Sequence, residues 1–159
     1  MYFNNLKYDF YDLYDLIKNE FEDVYDLILW TNDGSGDEYL FEDDEDAEEH
    51  IYEIIENFDN LASKNKIEIF RILHLNNLSD LNKIELGECW AWNRKTALNF
   101  GYENVNNANF MLHGFTSPKN IDWKESVKRY AINSLLDSKE DELVVINSAD
   151  VTLIDVEHL

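Results

Sequence analysis

The chain has 159 residues, enough for one ordinary domain with a hydrophobic core or a compact domain bearing a helical appendage, and too few for two large domains. With 45% apolar and 14% aromatic residues and one proline, it departs from the composition of disordered chains despite a formal net charge of -21. No apolar run approaches the roughly 18 residues of a membrane span, and the opening Met1-Tyr2-Phe3-Asn4-Asn5 has no basic segment leading into an apolar one, so a cytoplasmic chain is expected.

The charge is unevenly placed. Residues 1–62 hold 20 Asp or Glu against 2 Lys, whereas residues 63–159 hold 14 acids against 11 bases. A field of that sign repels nucleic acid and anionic lipid and attracts basic protein surfaces. The same asymmetry divides the chain into an acidic helical segment, 1–62, and a mixed α/β remainder, 63–159, either as two parts or as one continuous domain.

In chain order, Leu6, Phe10, Leu13, Ile17, Phe21, Val24 and Ile28 recur at steps of three and four, which predicts an amphipathic helix or helix pair. Asn32-Asp33-Gly34-Ser35-Gly36 stops it. A second stripe, Ala47, Ile51, Ile54, Ile55, Phe58 and Leu61, predicts another helix whose opening carboxylates sit at the positive end of its dipole. Ile67 to Leu75 reads as a buried strand interrupted by Arg71 and His74. Gly87-Glu88-Cys89-Trp90-Ala91-Trp92 leads into a short helix capped by Asn93 and ended by Gly101. Asn109 to Thr116 predicts a strand, Asp122 caps a further helix with Glu125 three residues on, and Leu143–Ile146 with Val151–Val156 reads as a closing hairpin.

Common chemical signatures are missing from this order. There is no glycine-rich phosphate loop, no nucleophile elbow and no His pair at metal-binding helical spacing. Cys89 is the sole cysteine and the four histidines are scattered, so no structural metal is expected. Arg71 stands out, because an unpaired guanidinium in an apolar strand is costly; it predicts a functional role or a buried pair. Trp90, Trp92 and Trp123 are the residue type that most often packs in a core, and Glu140-Asp141-Glu142 also reads as a solvated turn in an acidic protein.

The series Arg71, then Gly87-Glu88-Cys89-Trp90, then Ile121-Asp122-Trp123, then Glu140-Asp141-Glu142 resembles the ADP-ribosyltransferase family, notably its small phage-type members, over roughly residues 66–157. In that family an Arg or His on the first core strand, a polar motif on the second and a Glu heading a late strand line one NAD cleft. Where the family carries Ser-Thr-Ser, this chain has Cys89-Trp90-Ala91. The resemblance implies an α+β fold, with acidic N-terminal helices beside a two-sheet ADP-ribosyltransferase-like core with short helices. It further implies that Glu142 is the catalytic glutamate, Glu140 orients the acceptor, and Arg71 and Trp90 hold NAD.

A different expectation rests on the acidic segment alone. Asp43, Asp44, Glu45, Asp46, Glu48 and Glu49 would present carboxylates in place of phosphates to a basic, nucleic-acid-binding protein, as an inhibitor or nucleic-acid mimic of the phage anti-defence kind would.

Overall fold

The computed structural model describes residues 2–3, 5–19, 44–104, 110–135 and 141–159. Among them helices accompany one five-stranded antiparallel sheet, a mixed α+β arrangement. The chain forms two compact units, one of Met1–Ser63 with Val127–Ser138, the other of Lys64–Ser126 with Lys139–Leu159. The first break falls where the charge changes. The second lies inside a helix and has no signal in the sequence.

The first unit opens with a small ribbon, β1 (Tyr2–Phe3) paired with β2 (Tyr8–Asp9). Asp9 caps the following helix, α1 (residues 10–19), accepting the Tyr11 N–H at 2.8 Å. Phe10, Leu13 and Ile17, spaced by three and four, are its buried face. Helix α2 (Asp44–Ala62) buries Ile51, Ile54, Ile55 and Phe58 by the same spacing. The Asp59 carboxylate near its end accepts from the N–H groups of Asn5 and Leu6, each at 3.0 Å, and from Asn5 Nδ2 at 2.9 Å, which ties the chain's opening turn to α2. Residues 20–43, where the second half of the first predicted stripe falls, lie outside the described residues.

In the second unit the strands are β3 (Ile67–Leu73), β4 (Cys89–Ala91), β5 (Phe110–Thr116), β6 (Glu142–Val144) and β7 (Thr152–His158), in the order β6-β4-β3-β5-β7. The β-branched and large apolar run of β3 takes the centre, with partners on both edges, and pairs with β5 along its full length. Helix α3 (Arg94–Asn104) lies along this sheet, where Ala97 joins Phe70 and Met111 in a buried cluster. Asn93 caps it by accepting the Lys95 N–H at 2.9 Å. The helix runs through Gly101 to Asn104, past the expected stop, because one interior glycine costs only about 1 kcal/mol and no proline or capping turn follows it immediately.

Helix α4 (Trp123–Leu135) begins at Asp122, whose Oδ1 accepts the Glu125 N–H at 3.1 Å. Its N-terminal turn belongs to the second unit and its continuation from Val127 to the first, where the Tyr130 ring meets Phe58 at 5.4 Å between centroids. The expected hairpin of the last two strands does not form: β6 and β7 occupy opposite edges of the sheet. The physical reason is that both sides of β6 are already engaged. β4 takes one, and on the other Asp122 N–H donates to the Val144 carbonyl at 2.8 Å while Val144 N–H donates to the buried Ser126 Oγ at 2.8 Å. A short 3₁₀ turn at Ser148–Asp150, capped by Asn147, then starts the crossing to β7.

Candidate functional site

Because β4 separates β3 from β6, the strand bearing Arg71 and the strand headed by Glu142 lie one strand apart. The register runs Glu142 to Ala91 to Phe70, so only the methyl of Ala91 stands between Glu142 and the aromatic ring in that row. The row continues through His113 to Asp155; His113 stacks on Phe70 at 4.7 Å and pairs with Glu68 at 2.6 Å.

Arg71 is half-buried, and its Nη1 donates to the Cys89 carbonyl. The flat of its guanidinium covers Gly87: a Cβ there would sit 2.7 Å from Nη2 and 2.8 Å from Cζ. Gly87 also has φ of +80°, so both its backbone and its neighbour require glycine. Gly87→Ala is therefore expected to cost about 1–2 kcal/mol from the left-handed backbone alone. Displacement of the guanidinium adds to that, and urea denaturation with a midpoint equal to wild type would contradict it.

Burial lowers the Arg71 pKa, while the nearby Cys89 and Glu142 push it back up. Its Nε is buried and has no hydrogen-bond partner among the described residues. An orphaned guanidinium N–H is a standing desolvation cost, one that charged neighbours reduce without cancelling. Glu142, distant in sequence, thus contributes to the electrostatic surroundings of Arg71, although the register puts Glu142 on the Phe70 face of the sheet and Arg71, next along β3, on the other.

Trp90 is 1% exposed, and its indole Nε1 donates to the Gly87 carbonyl at 3.0 Å. So enclosed a ring has no open face for stacking a flat ligand; it is a core residue that braces the turn beneath Arg71. Glu142 is half-buried at the head of β6, and Asp141 just before it is held by the segment after β4. Trp92 N–H donates to the Asp141 carbonyl at 2.9 Å, and the Thr96 hydroxyl donates to Asp141 Oδ2 at 2.7 Å.

Glu140 and Asp43 lie outside the described residues. Asp44, Glu45 and Asp46 fall in the first turn of α2, and Glu48 and Glu49 are exposed on its surface. Gly87, Thr96 and Asp141 were not singled out by sequence reasoning as site-forming. A glycine ahead of a buried tryptophan and a hydroxyl in a helix's first turn were visible, but their partners are distant along the chain.

Comparison with protein-family models, with curated proteins and with solved structures returned no match to this chain.

Proposed function

We propose that this chain is an ADP-ribosyltransferase-like protein that takes NAD and transfers its ADP-ribose to a macromolecular acceptor. The observation that carries this reading is that β4 alone separates the strand of Arg71 from the strand headed by Glu142, whose charge partly counters the lowering of the guanidinium pKa by burial. The sequence order of Arg, Gly-x-x-Trp strand and Glu is that of the resembled family, and the strands bearing the three are neighbours in one sheet. A two-sheet core of that family is the finer part of the proposal.

In the transfer, the bond between the nicotinamide nitrogen and ribose C1′ breaks and nicotinamide leaves with the electron pair. An acceptor nucleophile bonds C1′, and its proton passes toward Glu140. Positive charge gathers on the ribose as the bond opens, and a fixed carboxylate at Glu142 stabilises it. Arg71 contributes a guanidinium, the group best matched to phosphate oxygens, with N–H groups beyond the one given to Cys89. Incubation with NAD labelled in its adenylate half and a cell lysate is expected to label a protein or nucleic acid. No label together with no released nicotinamide would remove the reading.

A second reading has its own observation: Glu48, Glu49, Glu53 and Glu56 are exposed on α2, a helix without Lys or Arg. Such a face would hold a basic, nucleic-acid-binding protein by charge, in a salt-weakened complex. Neutralising Asp44, Glu45, Asp46, Glu48 and Glu49 would then abolish binding that Glu142→Gln leaves intact.

A further inference from the structure

The head of β6 is secured from outside its own strand. Two hydrogen bonds reach Asp141, one from the Trp92 N–H to its carbonyl and one from the Thr96 hydroxyl to its carboxylate, the first from the short link between β4 and α3 and the second from the first turn of α3. Asn93 Oδ1 ties the link to the helix by capping the first turn of α3, accepting from Lys95 at 2.9 Å and, at 3.4 Å, from Thr96. The 2.7 Å hydroxyl-to-carboxylate distance suits a charge-assisted bond. The charge also suits the place. The first turn of α3 contains no acid of its own, and a carboxylate there meets the positive end of the helix dipole.

Glu142 follows Asp141 directly and stands opposite Ala91, the residue before Trp92. Fixing Asp141 to the Trp92–Thr96 stretch therefore fixes where the Glu142 carboxylate starts relative to β4 and, through β4, relative to Arg71. We infer that Asp141 and Thr96 form a clasp that positions Glu142, making both positioning residues for the transfer reaction; this rests on the function proposed above. Neither side chain need touch substrate. Thr96 acts through Asp141, and Asp141 through the peptide that it shares with Glu142.

The discriminating variant is Thr96→Val, which keeps the branched shape and a similar helix propensity while removing the hydroxyl. Thr96→Ser restores the donor. With NAD turnover followed by nicotinamide release, Thr96→Val is expected to lower kcat about 10- to 100-fold, since a small misplacement of a catalytic group has effects of that order, with KM changed far less. Thr96→Ser should recover most of the loss. Amide exchange supplies a readout independent of catalysis: the Trp92 N–H should exchange faster in Thr96→Val and in Asp141→Ala, and at the wild-type rate in Thr96→Ser. Active wild type with an unchanged kcat in Thr96→Val overturns the clasp as a positioning device. Wild type without turnover instead defeats the transferase reading. In that case unaltered Trp92 exchange in Thr96→Val defeats the clasp as well, and faster exchange retains it as the element that fixes Glu142.

Discussion

Trp90→Ala is expected to destabilise the protein by about 3–5 kcal/mol, the range for removing a fully enclosed large aromatic side chain. Three observations set that scale. The ring is among the largest fully buried side chains, its strand is paired on both edges, and its indole N–H satisfies the Gly87 carbonyl. The loss would lower the thermal midpoint by roughly 6–20 °C for a protein of this size. Trp90→Phe keeps most of the volume and forfeits the hydrogen bond, so it should cost less. Near-equal midpoints for wild type and Trp90→Ala would mean that the ring is not packed as described. Because the indole braces the turn over which Arg71 lies, a loosened turn should appear as faster exchange at the amides around Gly87 even where the fold persists.

Glu142→Gln should reduce NAD turnover by about 10²–10³-fold, the size of effect seen when one preorganised electrostatic group is removed from a developing charge. The substitution is nearly isosteric, and the carboxylate is half-buried at a strand head, so unfolding should not be the cause. It also removes one of the charges that favour the protonated Arg71 guanidinium. Thermal midpoints within a few degrees of wild type, beside turnover lowered by two orders of magnitude, would separate chemistry from stability. Turnover equal to wild type would take Glu142 out of the reaction.

How much of this was legible in the sequence depends on whether the determining interaction is local. The stripe in α2, the Asn93 and Asp122 caps and the apolar run of β3 could be read directly, because each depends on residues a few positions apart. Arg71 was conspicuous as a charge inside an apolar run, and Glu142 as an acid ahead of one. What escaped was pairing. The turn residues Asn147 to Asp150 suit a hairpin, but β6 finds its partners in Cys89–Ala91 and in the start of α4, both remote along the chain. Trp90 shows the same limit: its residue type suits either a core or a stacking surface, and burial by distant strands decides between them. The Asp141 clasp was hidden for the same reason, its two halves lying 45 positions apart.

The break between the two units within α4, at Ser126 and Val127, has a practical consequence for dissecting the molecule. Neither unit is one uninterrupted stretch, so a single cut after Ser63 cannot release either of them whole. A fragment beginning at Lys64 would carry residues 127–138 without the rest of the unit to which they belong, among them Val127 and Ala131, both enclosed in the intact protein. A clean division along that boundary calls for splicing out residues 127–138 and bridging the gap.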